Sequence, residues 1–346
     1  MVAGGRHRWK NSVFSLLVFS SSLIISALTG ELILRFLGYQ GAPQTSISNI
    51  YPVDDPVVDW RYIPNSEFTI GRVAYRFNRA GFRDVGHTAE RLPQIKRIVV
   101  VGDSVTEGYG VEWESVFTGI LQTALAGQAE TINLAAGGLN TPQEVHLLER
   151  EGLRYKPDLV VLNFILNDAD FYSGFRGAQQ YNAEKESRIG LLNVAIDPRI
   201  KRLLKSSALI YLAKERIENV KGRLMGKAHT DYYAKLWASD ENRRKVTSGF
   251  DGLAALHRQN SFDVVVIIWP LITDYRHYKF SSIHQWVKGE VEKRGFSTID
   301  LLPTFSALSY RELQVTAEDN VHPNALGHKL AAMTFLDWYH SRYAGH

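Results

Sequence analysis

The chain has 346 residues, 45% hydrophobic and 22% charged, with 27 glycines and 11 prolines, a globular composition long enough for one large core plus additions. It has no cysteine, which excludes a disulfide framework, a thiolate metal site and a cysteine nucleophile. The net charge is +4, of which Arg6, Arg8 and Lys10 carry three; the nearly neutral remainder lacks the broad basic footprint of a nucleic-acid binder, so no nucleic-acid partner is expected.

Those three basic residues precede residues 11–30, a run of 20 without an ionisable side chain. A helix of about 20 residues crosses the hydrocarbon core of a bilayer, and basic residues on its N-terminal side predict a cytoplasmic N-terminus with the rest exported. A cleaved signal peptide is the competing reading. Its apolar region is shorter, the small-x-small pattern is poor at Ala27-Leu28-Thr29, and apolar character resumes in Leu32-Ile33-Leu34. The sequence favours an uncleaved anchor over residues 1–39, single-pass, with everything after it outside the cytoplasm.

Residues 40–95 are turn-rich and aromatic, and read as a β-rich arm. Short alternating runs at 68–70 and 73–77, separated by Gly71-Arg72, predict a hairpin. From residue 96 buried strands alternate with helices: strands at 97–101, 131–134, 158–164, 263–269 and 297–301, helices at 114–125, 142–153, 243–259, 283–294 and 324–340. Continuous Val/Ile/Leu runs mark strands covered on both faces, hence a parallel α/β sheet. Residues 171–242 interrupt the alternation with a basic cluster (Arg199, Lys201, Arg202, Lys205) and a helix expected at 208–225, and are expected to form a helical cap. The stripe Leu209, Leu212, Ile217 and Leu224 reads as a core-facing side of that helix, with a membrane-proximal lid as the alternative.

Chemistry concentrates at the strand ends. Ser104 closes Ile98-Val99-Val100-Val101-Gly102-Asp103-Ser104, and far downstream comes Asp319-Asn320-Val321-His322. A serine hydroxyl is a poor nucleophile unless a base lies within hydrogen-bond reach, and the base needs an orienting partner. Spacing of three lets Asp319 fold back on His322 Nδ1. The segment is not the Gly-x-Ser-x-Gly elbow of α/β-hydrolases, because Thr106 stands at the later glycine position. The second strand is followed by Asn133-Leu134-Ala135-Ala136-Gly137-Gly138-Leu139-Asn140-Thr141 and the third by Asn167-Asp168. A strand-end glycine aims its N–H without side-chain obstruction, and an asparagine amide there is a second donor; with the Ser104 N–H they would surround an oxyanion. Taken singly, each block has an innocent reading as a turn or a helix cap.

In this order and spacing, the four segments resemble the signature blocks of the SGNH (GDSL-type) hydrolase superfamily, from Arg97 to about His340. The third block departs from the usual Gly-x-Asn-Asp, reading Ile165-Leu166-Asn167-Asp168. Arg76-Phe77-Asn78-Arg79-Ala80-Gly81-Phe82-Arg83 resembles a lead-in of membrane-anchored bacterial members. The resemblance implies an α/β fold, a three-layer α/β/α sandwich on a flavodoxin-like five-stranded parallel sheet of order 2-1-3-4-5, occupying 96–346 around the 171–242 insertion. It implies Ser104 as nucleophile, His322 and Asp319 as the rest of a triad, and Ser104, Gly138 and Asn167 as oxyanion donors, with no cofactor. The implied activity is a serine esterase working through an acyl-enzyme on a small-molecule, glycan or lipid ester of the envelope or exported material. An O-acyltransferase using the same triad, or a non-catalytic glycan-binding protein, are the alternatives.

Arg83, Glu107, Asn140 and Asp168 read equally as pocket-lining or as surface and capping residues. His284, His328 and His340 read as solvated or helix-end residues. The lack of a His-x-x-x-His or clustered carboxylate pattern argues against a metal site. The expected cleft is shallow and partly covered by 171–242, and the oligomeric state is not legible.

Overall fold

The computed structural model describes residues 4–39, 49–170, 206–317 and 319–343, with the short pieces 188–189, 194–195, 200 and 204. Helix α1 (Gly4–Phe36) contains one segment, Phe14–Phe36, long and apolar enough to cross a membrane, and none of it is buried against the rest of the chain. Its last turns are not apolar. Glu31 accepts hydrogen bonds from Ser207 Oγ and from the Ala208 and Leu209 amides, while Arg35 donates to Ser206 O. These groups are the open N-terminus of helix α5 (Ala208–Ala238), whose first amides have no partner within the helix.

The arm holds two antiparallel pairs, β1 (Ile50–Pro52) with β2 (Trp60–Tyr62) and β3 (Glu67–Ile70) with β4 (Val73–Arg76). The second is the expected hairpin, turning at Gly71 with φ +62°, a conformation glycine adopts without strain. Its rings make a continuous stack: Phe68 lies 5.3 Å from Tyr75 and 5.5 Å from Phe77, and Phe77 lies 4.2 Å from Tyr62.

The central sheet contains β5 (Lys96–Val101), β6 (Ala129–Asn133), β7 (Leu159–Phe164), β10 (Asp263–Ile268) and β11 (Ser297–Asp300); β8 (Arg188–Ile189) and β9 (Val194–Ala195) form a separate two-residue ribbon. All pairings in the sheet are parallel and the order is β11-β10-β7-β5-β6, the expected 2-1-3-4-5. The apolar stretches Ile98–Val101 of β5, Leu159–Leu162 of β7 and Val264–Ile268 of β10 supply the buried centre, as a sheet covered on both faces requires. The right-handed rule for such crossovers assigns α3 (Phe117–Ala124) to one face and α4 (Thr141–Leu147), α6 (Asp240–Asn260) and α7 (Ser281–Glu292) to the other, and α6 touches both α4 and α7. Helix α10 (Ala325–Tyr343) packs on α3, and α4 packs on α6, so the domain is the expected three-layer α/β sandwich. Two short helices, α8 (Leu302–Ser306) and α9 (Tyr310–Leu313), lead from β11 toward α10.

Two helices differ from the sequence expectation. The helix expected at 142–153 ends its regular turns at Leu147 and continues as a wide turn, Leu148–Gly152, then a tight one, Leu153–Tyr155. The helix expected at 208–225 runs on to Ala238, through Gly226. Tertiary packing outweighs that glycine: Tyr233 and Trp237 are buried, and Trp237 Nε1 donates to Leu166 O at 2.8 Å. Along the expected stripe Leu209 and Leu212 are half-buried and Ile217 is 48% exposed, while Leu224 lies outside the described side chains. Of the 171–242 insertion, α5 and the first turn of α6 are described together with the short pieces above, and the rest of the expected cap lies outside the described residues.

Candidate active site

Strand β5 ends at Val101, and Gly102 makes the turn that follows. A side chain there would collide with Thr106, whose Oγ1 lies 2.0 Å from an ideal Cβ position. Asp103 then caps the one-turn helix α2 (Ser104–Glu107), its Oδ1 accepting the Val105 N–H at 2.9 Å. Gly108, at φ +85°, closes the turn. Ser104 is therefore the first residue of a capped turn at the carboxyl end of the sheet.

The remote segment 319–323 meets it there. Ser104 Oγ lies 2.9 Å from His322 Nε2, and His322 Nδ1 lies 2.9 Å from Asp319 Oδ2. With the Nδ1 proton directed at the carboxylate, Nε2 is left to accept from the serine hydroxyl. Asp319 Oδ1 also accepts the Val321 and His322 amides, each at 2.9 Å. Burial works to raise the Asp319 pKa, but the hydrogen bond and charge of His322 with these amides outweigh it and hold the carboxyl below its usual value. The segment is tied to the sheet where the Ile272 amide donates to Asn320 O at 2.7 Å, and the Tyr109 ring covers His322 with centroids 4.4 Å apart.

The segment after β6 is fastened twice to the serine turn. The Ala136 amide donates to Gly102 O at 3.2 Å and the Gly137 amide to Glu107 Oε2 at 2.8 Å. Gly138 follows at φ +77°, and its amide has no hydrogen-bond partner among the described residues. An added Cβ on Gly137 would sit 3.8 Å from Ser104 Cβ, which measures how closely this backbone approaches the serine. After β7, Asn167 Nδ2 donates to Asp103 Oδ2 at 2.6 Å, which uses one of its two amide hydrogens. Ile165 has extended backbone (φ −131°, ψ 161°) that any residue adopts, so the missing glycine of the third block leaves Asn167 in place. The five residues expected from the sequence, Ser104, Gly138, Asn167, Asp319 and His322, thus stand on loops gathered at one sheet edge.

Beneath them lie four buried carboxyl groups, Asp103, Glu107, Glu144 and Asp168. Burial raises the pKa of each; for Asp103 and Glu107 the hydrogen bonds from Asn167 and Tyr62 respectively oppose the shift. Glu144 and Asp168 are raised well above the normal carboxyl range, because burial is compounded by neighbouring carboxylates and the Glu144 carboxyl has no hydrogen-bond partner among the described residues. Arg83, Glu107, Asn140 and Asp168 support the site from below rather than lining a pocket: Asn140 caps α4, and Asp168 accepts from Thr141 Oγ1 at 3.0 Å. His284 and His328 are likewise buried, not solvated. His284 bridges Asp300 and Tyr278 Oη, and burial lowers the His328 pKa to about 3, so it stays neutral and accepts the Phe117 amide.

Residues 100–330 match the sequence model of the GDSL-like lipase/acylhydrolase family. The chain belongs to this family. It is accordingly a serine hydrolase of the SGNH type, and the match runs from the end of β5 through β6, β7, β10 and β11, with the Ser104 and His322 segments inside it. Among solved structures, the fold is similar to the acetyl xylan esterase AlAXEase, at 15% identity and TM-score 0.43, covering 70% of this chain and 98% of that one. It is also similar to the acetylxylan esterase Axe2 from Geobacillus stearothermophilus, at 15% identity and TM-score 0.41, covering 70% and 93%. The lipase/acylhydrolase from Enterococcus faecalis has 16% identity and TM-score 0.40, covering 72% and 97%. No curated protein sequence matches the chain.

Sequence reasoning missed Asp103 as the partner of Asn167 and Tyr62 as the partner of Glu107. An Asp before a capped turn is a local signal for the first. Nothing local marks the second, since 45 residues separate its members.

The GDSL-like core makes a pH-dependent stability prediction. A carboxyl whose pKa is raised on folding binds more protons in the native than in the unfolded state. Its stability contribution is full below the unfolded pKa and is lost as pH rises through the folded one. Glu144→Gln, neutral at every pH, should therefore lose less stability than wild type as pH rises above the normal carboxyl range in urea titrations. Equal losses would show that Glu144 does not titrate on folding.

Proposed function

We propose that the protein is a serine esterase acting through an acyl-enzyme, with Ser104 as nucleophile, His322 as general base and Asp319 as its orienting carboxylate. The observation that carries this reading is the unbroken hydrogen-bond chain from Asp319 through His322 to Ser104, with both heavy-atom distances at 2.9 Å. His322 Nε2 takes the hydroxyl proton as Ser104 Oγ attacks the ester carbonyl carbon. The Asp319 carboxylate, kept ionised by its amide and imidazole partners, stabilises the imidazolium that forms. The carbonyl oxygen becomes an oxyanion facing the Ser104 and Gly138 amides and the second Asn167 Nδ2 hydrogen. Collapse expels the alcohol, protonated by His322. Water then attacks the acyl-enzyme, giving its proton to Nε2, and the carboxylic acid leaves with Ser104 restored.

The substrates proposed are ester-linked acyl groups of envelope or exported glycans or lipids. What supports this is the apolar helix Phe14–Phe36 preceded by Arg6, Arg8 and Lys10, the charge pattern of an anchor that leaves the following chain outside the cytoplasm.

Ser104→Ala and His322→Ala should abolish turnover of p-nitrophenyl acetate while leaving the unfolding midpoint near wild type. Asn167→Ala should lower kcat by about 10²–10³-fold if its amide faces the oxyanion. Wild-type turnover in Ser104→Ala would end this reading. Anchoring is tested separately: the full-length protein should stay with membranes after alkaline carbonate washing, and a chain beginning near residue 40 should be soluble and active. Recovery of the full-length protein in the wash, or with residues 1–30 removed, would contradict it.

A further inference from the structure

The arm reaches the carboxylate of Glu107 through Tyr62. Tyr62, buried in the ring stack against Phe77, donates its hydroxyl to Glu107 Oε2 at 2.8 Å. The same carboxylate oxygen accepts the Gly137 amide at 2.8 Å. Glu107 stands one helical turn after Ser104 on α2, and Gly137 immediately precedes Gly138. One oxygen thus ties the serine turn, the glycine segment and the arm.

Other contacts hold the arm in register with this junction. The Arg83 guanidinium lies 3.9 Å from the centre of the Tyr75 ring and donates to the carbonyls of Glu107, Gly108 and Val111 at 3.1, 2.6 and 2.7 Å. Tyr75 Oη accepts the Gly110 amide at 2.6 Å. Gly81, at φ +79°, sits so close to Tyr62 that an added Cβ would lie 2.7 Å from the Tyr62 carbonyl oxygen. The run Arg76–Arg83 therefore acts structurally, through Gly81 and Arg83, to seat Tyr62 and residues 107–111.

We propose that Tyr62 is a positioning residue for the oxyanion site: by fixing Glu107 it fixes Gly137, and so aims the Gly138 amide at the carbonyl oxygen bound against Ser104. The proposal rests on the esterase reading above and extends the reacting unit beyond the hydrolase core to the arm. A hydroxyl confined to a ring stack is suited to this task, because the stack removes the freedom that would otherwise blur the position of Glu107. An amide that donates only to developing negative charge lowers the barrier without strengthening ground-state binding, so disturbing its aim lowers kcat and leaves KM.

The test is Tyr62→Phe, which keeps the ring and its stacking, assayed with p-nitrophenyl acetate well below the unfolding midpoint. The expected result is a fall of about tenfold in kcat with KM within about twofold of wild type. Glu107→Ala should fall at least as far, Glu107→Gln, which keeps an oxygen for the Gly137 amide, should recover most of that loss, and Tyr62→Phe combined with Glu107→Ala should add little to Glu107→Ala alone, because both act through one link. Wild-type kcat in Tyr62→Phe, with or without a lowered midpoint, would overturn the proposal and leave Tyr62 as packing. Fully additive losses in the double variant would overturn it as well. Asn167→Ala and Ser104→Ala assayed alongside separate the two failures: if both lose turnover while Tyr62→Phe does not, the esterase reading stands and the role of the arm falls.

Discussion

Everything in this site follows from a sheet whose strands all point the same way. Because β5, β6, β7, β10 and β11 are parallel, their carboxyl ends share one edge, and each connection must leave from that edge before a helix returns it to the other. The chain leaves β5 in one lateral direction to make β6 and then reverses across β5 to make β7. Such a reversal opens a crevice at the strand ends, where ligands of open α/β sheets bind. Ser104, the Gly137–Gly138 segment and Asn167 stand after β5, β6 and β7 respectively. Asp319 and His322 arrive last, held to the end of β10 through Ile272 and Asn320.

A crevice made of loops needs stiffening, and here buried polar groups supply it. Asp103 caps the serine turn with one oxygen and accepts from Asn167 with the other, so one carboxyl sets the relative position of two loops. Glu107 does the same for the glycine segment and the arm. Burying these carboxyl groups costs free energy, which their hydrogen bonds offset, and the raised pKa values record the remainder. The Glu144 carboxyl lacks that compensation among the described residues, Asp168 has it only from Thr141, and these two are the most strongly shifted. The GDSL-like domain thus trades stability at high pH for rigidity under its serine. At the other end of α5, Glu31 on the apolar helix caps the same helix whose Trp237 packs against Leu166, next to Asn167.

Much of this was legible in the sequence. Apolar runs at 98–101, 159–162 and 264–269 specify strands covered on both faces, and the order of the strands matches the expected sheet. The approach of His322 to Ser104 across 218 residues was legible only because both segments resemble blocks of one family; no local pattern encodes it. The length of α5 was not legible, because Gly226 argues for a stop and only the burial of Tyr233 and Trp237 argues against it. Nor was the burial of Arg83, Asp168, His284 and His328. A polar residue is read from sequence as surface, and each is buried because a partner or a neutral state pays the desolvation that solvent would otherwise avoid. The link from Tyr62 to Glu107 joins two segments whose patterns are unrelated, so only the folded chain reveals it.

The central claim is that Ser104 is made nucleophilic by His322 and forms the acyl-enzyme. Its most direct measurement is reaction of the full-length protein with a fluorophosphonate, followed by peptide mass analysis. The account predicts a single adduct on Ser104 in the wild type and none in His322→Ala. An adduct on another serine, or undiminished labelling of Ser104 without His322, would contradict it.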